Sequence, residues 1–359
     1  MKRRIVAMLV ASVTIVLSSI IIVSISAPQH HDDGGSASAR TVIRVGLQAN
    51  LTHTPALIAK SSDAFSKELG MDVEYMIFKA GPDTMFALLT GQVDIAYTGP
   101  VPAIQAHLAS NGSVRIIAGA ASGGAMFVTR EGIDTLEDLR GKRFGAPQYG
   151  NTQDVALRSY LMEHGLRLKE DMGDISVIHA RGTELLLLFR RGEIDGLWVP
   201  EPWASRALKE GGKVFLDERS LWPDGRFATT VLVARSDLID ERPDLIDKVL
   251  RVHIGIIKWI NENRDEALII ASREIKGITG QSLPEDIVRR AFSSLEFTYD
   301  PMHESVKGYL RKGIMIGLFH SEPAMDRLFY DAGLMSITGQ LASVQSENTQ
   351  IILINRRDR

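Results

Sequence analysis

The sequence predicts an α/β protein made of two similar three-layer α/β lobes that face each other across a central cleft. From Val42 onward, short β-branched runs alternate with amphipathic stretches, as strands and helices do in a mostly parallel sheet. The pattern occurs twice, and residues 101 positions apart match, such as Gly91 with Gly192 and Asp94 with Asp195. A chain of 359 residues is also long enough for two lobes of ordinary domain size.

The first residues have the character of an export signal. Three basic residues, Lys2 to Arg4, precede a weakly polar to apolar run from Ile5 to Ile25. That run is close to the ~20 residues that a membrane-spanning helix needs. We therefore expect residues 1 to 27 to be a cleaved signal peptide or an uncleaved membrane anchor. The rest of the chain would lie outside the cytoplasm, in the periplasm or on the outer face of the cytoplasmic membrane.

Residues 28 to 40 are small and polar and predict a flexible linker. His30, His31, Asp32 and Asp33 are possible metal ligands, but adjacent histidines on a flexible chain do not preorganise a tetrahedral site, so we expect no bound metal. The chain has no cysteine. Disulfides, thiolate metal sites, cysteine nucleophiles and a lipid anchor on an amino-terminal cysteine are thereby excluded.

The elements of the two lobes follow in order along the chain. In the first lobe the sequence predicts strands at 42 to 47, 73 to 78, 93 to 97 and 114 to 119, with helices beginning near 54, 82 and 100. In the second it predicts strands at 143 to 146, 175 to 179 and 194 to 199, with helices beginning near 151, 183 and 201. Further strands are expected at 214 to 216 and 227 to 234, and helices at 243 to 260, 263 to 275, 284 to 294, 302 to 318 and 323 to 332.

These elements give a domain organisation in which the chain crosses between the lobes twice. We expect the first lobe to comprise 41 to 125 and 231 to 338, and the second lobe 126 to 230, with hinge strands near 125 and 230. Residues 339 to 359 are expected to be a tail.

Net charge and composition limit the kinds of molecule that the chain is expected to bind. The formal net charge is −3 and the pI is about 6.3, which gives no broad basic surface for phosphate backbones. Nucleic acid is therefore not expected as a partner. The 45% hydrophobic and 24% charged residues are ordinary for a globular protein and name no function.

Candidate ligand-binding residues follow the strands at the cleft. In open α/β sheets ligands bind beyond the carboxyl ends of the strands, where helix amino termini present free N–H groups and favour anions. In the first lobe these junctions contain Asn50, Thr52 and His53, and then Thr98 and Gly99. For His53 the competing interpretation is an exposed loop residue without a ligand role.

The glycine-rich stretch at 118 to 127 and the first junction of the second lobe add five more candidates. Ser122 and Gly123 stand where a strand leaves the first lobe, and pure packing is an equal alternative for them. In the second lobe, Asn151 or Thr152 can cap a helix, and Gln148 can supply an amide donor to sulfonate or nitrate oxygens.

Three further candidates lie at the later junctions of the second lobe. Arg181 could pair with an anion, or form a surface salt bridge. Glu201 and Trp203 could line the cleft, and for Trp203 the alternative is a packing role.

Six segments carry a resemblance to a known family. These are NLTHTPALIA, GQVDIAYTGPVPA, AGAASGGAMFV, GAPQYGNTQDVALR, GEIDGLWVPEPWASR and FATTVLVAR. Together they strongly resemble the substrate-binding proteins of aliphatic sulfonate, nitrate and taurine importers, in the same order, from about Val42 to about Leu334. The resemblance implies a type II periplasmic-binding-protein-like fold that delivers ligand to an ABC permease and its ATPase. It also implies a pocket that includes Asn50, Thr52, His53, Thr98, Gly99, Ser122, Gln148, Asn151, Thr152 and Glu201.

One departure from the family concerns the anchor. Many members are lipoproteins, whereas this chain lacks the cysteine that would carry the lipid. The long apolar start would then replace the lipid and hold the protein at the membrane.

The expected function is therefore solute binding for an ABC importer, with a small anion, most simply an aliphatic sulfonate, as ligand. Nitrate, taurine or a thiamine precursor are alternatives on the same fold, and a sensor ectodomain is a rival from another class, weakened because no signalling domain follows residue 359. Enzymes that resemble this layout rely on cysteines, and GxxxxGK, HExxH and GxSxG are also missing. We expect neither catalysis nor a cofactor.

Overall fold

The computed structural model of the chain describes residues 42 to 320 and 325 to 339, which form two β-sheets flanked by helices. The predicted α/β fold class with two similar lobes is confirmed. The expected signal or anchor at 1 to 27, the linker at 28 to 40 with its histidines, and the tail beyond residue 339 lie outside the described residues. No helix within the described ranges is both long enough and apolar enough to cross a membrane.

The strands are β1 (Val42–Gln48), β2 (Asp72–Phe78), β3 (Ile95–Thr98), β4 (Val114–Gly123), β5 (Ala125–Thr129), β6 (Arg143–Ala146), β7 (Ser176–His179), β8 (Gly196–Pro200), β9 (Lys213–Asp217), β10 (Ala228–Arg235) and β11 (Leu295–Phe297). The helices are α1 (Thr54–Ser61), α2 (Ala64–Leu69), α3 (Gly81–Leu89), α4 (Pro100–Ala109), α5 (Thr152–Glu163), α6 (Gly182–Arg191), α7 (Trp203–Lys209), α8 (Ser236–Glu241), α9 (Pro243–Glu262), α10 (Arg264–Thr279), α11 (Glu285–Ser293), α12 (His303–Met315) and α13 (331 to 339). Short 3₁₀ turns occur at Leu51–His53, Glu137–Leu139, Lys169–Asp171, Glu218–Leu221, Pro223–Gly225 and Met325–Arg327.

The two sheets repeat one arrangement. The first has the order β11-β4-β10-β3-β1-β2, and the second has the order β7-β6-β8-β5-β9. In each, three parallel strands (β2-β1-β3 or β7-β6-β8) are followed by one antiparallel strand, which is β10 in the first sheet and β5 in the second. The sequence repeat therefore corresponds to a structural repeat.

The repeated aspartates tie neighbouring strands of each lobe together. The Asp94 carboxylate accepts a hydrogen bond from the backbone N–H of Arg44 at 2.9 Å, and the Asp195 carboxylate accepts one from Arg143 at 2.7 Å. Each aspartate N–H also donates to the carbonyl of the same arginine. The side chain thus extends the ladder between the first and third strands, which explains why both copies end in aspartate.

Two chain segments connect the lobes. The first is Gly123 and Gly124, whose φ values of 77° and 67° suit glycine and turn β4 into β5. The second runs from 218 to 227 and leads back from β9 to β10. The return strand β10 belongs to the first sheet from Ala228, slightly before the boundary at residue 231 that the sequence gives.

A buried carboxylate fixes the returning segment. Glu218 is 1% exposed, and its two oxygens accept hydrogen bonds from Trp198 Nε1 at 2.8 Å and Tyr309 Oη at 2.6 Å. Trp198 lies on β8 and Tyr309 on α12, so one side chain joins the second sheet to a helix of the carboxyl-terminal region. Burial raises the pKa of Glu218, and its two donors oppose that rise.

A buried histidine fixes the core of the first lobe. His253 on α9 is fully buried, with Nε2 2.7 Å from the Gly119 carbonyl and Nδ1 2.9 Å from Tyr97 Oη. Since the carbonyl can only accept, Nε2 carries the proton and Nδ1 accepts from the tyrosine. Burial lowers the pKa of His253 to about 4, so the ring is neutral at physiological pH.

The carboxyl-terminal helices differ most from the sequence prediction. Strand β11 was not predicted, because three residues are too short for a periodic pattern to show. The helix predicted at 323 to 332 falls partly outside the described residues. The part that is described forms a 3₁₀ turn at Met325–Arg327, and α13 begins at 331.

Candidate functional site

The candidate site lies where the two lobes meet at the carboxyl ends of β1, β3 and β8. It is a cavity of about 30 Å³, enough for one or two water molecules. Both lobes and the start of β10 contribute to it. Its lining residues are Gln48, Asn50, Thr52, His53, Gly99, Asn151, Thr152, Gln153, Pro200, Thr229 and Thr230.

The loop after β1 supplies a neutral imidazole. The backbone N–H of Gln48 donates to His53 Nδ1 at 3.3 Å, so the ring proton resides on Nε2. His53 is 2% exposed, and burial lowers its pKa to about 3. The ring therefore remains an uncharged N–H donor at the cavity over the physiological pH range. The sequence alternative of an exposed loop histidine is wrong.

The same loop orients an amide. The Asn50 side-chain oxygen accepts a hydrogen bond from the Thr52 backbone N–H at 3.1 Å and caps the 3₁₀ turn at Leu51–His53. With the oxygen engaged, the NH₂ group of Asn50 is left as the donor end of the side chain.

Two helix amino termini from opposite lobes converge on the cavity. Helix α4 begins after Gly99 and helix α5 begins after Asn151, whose side-chain oxygen accepts from the Thr152 N–H at 2.8 Å. Across the cleft, the Val101 N–H points at Thr152 Oγ1 at 3.4 Å. Each terminus contributes a partial positive charge of about half an elementary unit, so the two together favour an anion.

Glycine at position 99 permits this approach of the lobes. A Cβ atom at Gly99 would lie 2.5 Å from Thr152 Oγ1, well inside van der Waals contact. The backbone angles of Gly99 (φ −69°, ψ 155°) are ordinary for any residue. The requirement for glycine thus comes from the opposite lobe and not from the turn itself.

Two threonines at the start of β10 complete the cavity. Thr230 is 1% exposed, and within the described ranges its Oγ1 has no hydrogen-bond partner. An unsatisfied buried hydroxyl costs about 1–3 kcal/mol, so this group is well placed to bond a ligand. Thr229 Oγ1 donates to the Gly123 carbonyl and so ties the two connecting segments together. Sequence reasoning missed both threonines because FATTVLVA was interpreted only as a crossing strand.

A buried carboxylate holds the loop before α5 in place. Asp154 is fully buried, and its oxygens accept hydrogen bonds from the Gly150 N–H at 2.8 Å and from His179 Nε2 at 2.7 Å. Arg158 lies further away, 3.8 Å from the same carboxylate. This cluster fixes the position of the turn that presents Asn151 to the cavity.

Of the thirteen predicted site residues, the structure brings together six at this cavity, namely Asn50, Thr52, His53, Gly99, Asn151 and Thr152. Their role in ligand binding remains a prediction. The other seven are placed elsewhere, each for an identifiable reason.

Three of those seven support the first sheet and its connections. The buried Thr98 hydroxyl faces the start of α3, where a Cβ on Gly81 would lie 3.1 Å from its Oγ1, and like that of Thr230 it has no hydrogen-bond partner in the described part of the chain. Ser122 Oγ accepts a hydrogen bond from the Phe227 N–H at 3.2 Å. Gly123 forms the first connection between the lobes, and the Ser294 carbonyl would lie 2.7 Å from a Cβ there.

Two more lie at loop positions of the second lobe. Gln148 contributes its backbone carbonyl, which accepts from the Asn151 N–H at 2.9 Å. Arg181 is exposed, and its backbone N–H donates to the Glu184 carboxylate at 3.2 Å as part of the cap of α6.

The last two serve the packing of α7. Glu201 is fully buried and accepts hydrogen bonds from the backbone N–H and hydroxyl of Ser205, at 3.0 and 2.8 Å. Burial raises the pKa of Glu201, and the Ser205 bonds oppose the rise. The Trp203 ring packs over Gly182, where a Cβ would lie 2.4 Å from it. Trp203 therefore has the packing role that was the alternative interpretation of its sequence position.

Among the described residues that line this cavity, no set of side chains is arranged to bind a metal ion. Within the described ranges, no group of three or more histidine or acidic side chains is arranged to hold a metal ion.

With this geometry in place, comparison with known proteins identifies the family. The model of the NMT1-like family matches residues 36–273, and the chain belongs to that family. The taurine-binding periplasmic protein of Escherichia coli (strain K12) is 28% identical over 193 residues, which cover 54% of this chain and 58% of that protein. The chain thus matches little more than half the length of that relative.

Solved structures confirm the fold that the resemblance implied. The periplasmic nitrate-binding protein NrtA from Synechocystis PCC 6803 superposes with a TM-score of 0.70 at 19% identity, covering 84% of this chain and 89% of that one. The periplasmic aliphatic sulphonate-binding protein SsuA from Escherichia coli gives a TM-score of 0.67 at 19% identity, covering 81% and 92%. The resemblance to this group of binding proteins, stated from the sequence, is confirmed.

Proposed function

We propose that the chain is the extracytoplasmic solute-binding component of an ABC importer and that its ligand is a small anion, an aliphatic sulfonate. The observation that carries the proposal is the convergence of the α4 and α5 amino termini, from opposite lobes, on a cavity that holds an unpartnered buried hydroxyl of Thr230. A group bound there contacts both lobes at once. That is the geometry of a binding protein that closes on its ligand.

The chemistry of the lining favours a strong-acid anion. No lining residue carries a charge at neutral pH, since His53 is kept neutral by burial. Sulfonate oxygens spread one negative charge and stay ionised at any physiological pH, so neutral donors and helix termini suffice to bind them. A weak acid would bind less favourably at such a site, because no fixed positive charge stabilises its ionised form.

The relatives support the class of importer. A taurine-binding and a sulphonate-binding periplasmic protein are among the similar proteins, and each is named for a sulfonate ligand. The proposal places this chain outside the cytoplasm, with a permease and an ATPase as its partners.

Nitrate is the second candidate, and a specific observation favours it. The cavity of about 30 Å³ is closer to the size of nitrate than to that of taurine. Of the two anions, nitrate needs the smaller enlargement of this cavity.

Calorimetric titration of the protein with taurine, short alkanesulfonates, nitrate and a pyrimidine precursor of thiamine tests the proposal. We expect one saturable site per chain for a sulfonate, and a weaker or absent response to the neutral heterocycle. Tight binding of nitrate alone would replace the sulfonate assignment with the second candidate. No heat and no thermal shift with any of the four would overturn the proposed function.

A further inference from the structure

A second and larger cavity lies between helix α5, the 3₁₀ turn at Lys169–Asp171 and the end of α12. Its volume is about 340 Å³, which is room for roughly ten water molecules and falls in the range of ordinary ligand pockets. Among the described residues, none that lines it also lines the cavity between the lobes. A ligand bound here would therefore use residues that the candidate solute site does not use.

Much of the wall of this cavity is apolar. Leu166 and Leu168 are 3% and 6% exposed and form its buried part. Met162 on α5 and Met315 on α12 are 55% and 41% exposed, so they border its opening. Such a wall suits the hydrocarbon part of a ligand.

The cavity also contains a buried cation. Arg158 on α5 lines it and is 8% exposed, and within the described ranges its Nε and Nη1 atoms have no hydrogen-bond partner. Its ion pairs, with Asp154 at 3.8 Å and Glu170 at 3.7 Å, are longer than hydrogen bonds. The Tyr149 ring has its centroid 5.0 Å from Arg158 Cζ, and this contact uses no N–H group. A desolvated guanidinium with unused donors is costly, so this side chain is suited to bind an anion.

The two carboxylates near Arg158 differ in their freedom to move. Asp154 is fully buried and accepts hydrogen bonds from the Gly150 N–H and from His179, so it stays in place. The Glu170 side chain is 60% exposed, and an exposed ion pair holds it only weakly. Glu170 can therefore turn into solvent while another carboxylate takes its place beside Arg158.

We propose that this cavity binds a small monocarboxylate with a short hydrocarbon chain, whose carboxylate replaces that of Glu170 beside Arg158. The planar guanidinium matches the geometry of a carboxylate, and the hydrocarbon chain lies along the apolar wall. The ligand carries one negative charge, because Asp171 also lines the cavity and Asp154 remains close to Arg158, so both would repel a second charge. This site is independent of the proposed function of the cleft.

Calorimetric titration of the full-length protein with hexanoate tests the chemistry of the ligand. Hexan-1-ol keeps the hydrocarbon chain without the charge, and acetate keeps the charge without most of the chain. We expect one saturable hexanoate site of this kind per chain, with affinities about tenfold or more lower for both analogues. Absence of saturable hexanoate binding, or equal affinity for hexan-1-ol, would overturn the proposal.

Four variants test whether the ligand binds at this cavity. Arg158→Leu should lower hexanoate affinity about tenfold or more, but it also removes the ion pair with buried Asp154 and can lower stability. Met162→Trp fills the cavity from an exposed position and should lower affinity to a similar extent, because the added ring occupies the space of the ligand. Met335→Trp, at a 69% exposed position on α13, is its matched control and should not. Glu170→Gln removes the competing carboxylate and should raise affinity about threefold.

Thr230→Val distinguishes this site from the cavity between the lobes. Thr230 lines that other cavity, so hexanoate affinity should be unchanged in this variant. A hexanoate affinity that falls in Thr230→Val, that is unaffected by Met162→Trp, or that does not rise in Glu170→Gln would overturn the proposal. Failure of the protein to bind sulfonates and nitrate is a separate result, which would count against the proposed function and not against this site.

Discussion

At the scale of single residues, the candidate site presents donors without charge, and one of them is also without a hydrogen-bond partner in the described part of the chain. His53 is held uncharged by burial, and Thr230 presents a buried hydroxyl with no bond in the described part of the chain. The sequence could predict Asn50, Thr52 and His53, because they follow the first strand directly. It could not predict Thr230, whose position depends on where β10 is inserted between β3 and β4.

Replacing Thr230 separates ligand binding from stability. Thr230→Val keeps the shape of the side chain but removes the hydroxyl, and a hydrogen bond to a charged ligand contributes about 1.5–3 kcal/mol. We expect anion affinity to fall about 10- to 100-fold in calorimetry, while the unfolding free energy of the ligand-free protein is unchanged or rises. Thr229→Val is the matched control, since it breaks the bond to Gly123 and should lower stability by about 1 kcal/mol. Equal stability losses in the two variants would show that Thr230 has a structural partner.

The buried histidine of the first lobe makes stability depend on pH. Folding lowers the pKa of His253 from 6.5 to about 4, so the unfolded chain binds this proton first as the pH falls. Its contribution is complete above about pH 6.5 and is lost as the pH falls towards 4. Between pH 7.5 and pH 5, urea unfolding should show that the wild type loses about 2 kcal/mol more than His253→Gln, in which this group cannot titrate. Parallel losses in the two proteins would contradict the assignment.

At the scale of elements, the sequence predicted where helices begin more accurately than it predicted what individual side chains contact. The structure explains this difference. The sequence predicted Asn151 or Thr152 as a cap, and Asn151 is the cap, because capping depends on residues next to each other in the chain. Glu201 and Trp203 were candidates for the cleft, with packing as the alternative for Trp203, and they anchor α7 through Ser205 and Gly182. Which way a side chain at a strand end points depends on its packing partners, and these are distant in sequence.

The contact between the amino termini of α4 and α5 provides a test of lobe closure. Gly99→Ala places a methyl group 2.5 Å from Thr152 Oγ1 only when the lobes meet, while the backbone of Gly99 accepts alanine without strain. We expect anion affinity to fall at least tenfold and the unfolding free energy of the ligand-free protein to change by less than about 1 kcal/mol. Gly277→Ala on α10, where a Cβ meets nothing within 4 Å, should leave both unchanged or raise stability slightly. Normal affinity in Gly99→Ala would exclude this contact from the bound state.

At the scale of the whole molecule, the internal repeat predicted the architecture because the repeat consists of local sequence patterns. Strand, glycine, helix and the Gly-x-[Val/Ile]-Asp turn recur in order, and the two sheets repeat the same strand order. The crossings near 125 and 230 were predicted from the sequence, but the antiparallel pairing of β5 and β10 with their neighbours is not visible in those patterns. That pairing joins segments that are distant in the chain, and it places Thr229 and Thr230 at the site.

The chain has no native cysteine, so spin labels can be attached at chosen sites. Closure of the two lobes on a bound anion can then be measured directly. Gln92→Cys and Glu193→Cys place labels at exposed, repeat-equivalent positions at the ends of the turns that follow α3 and α6. Pulsed electron–electron double resonance then measures the distance between the two labels with and without each anion used in the calorimetric titration. The anion that binds should shift the distribution to shorter distances, and the shift should be lost in Gly99→Ala. A distribution that does not change when the anion binds would contradict closure of the two lobes on a ligand held between α4 and α5.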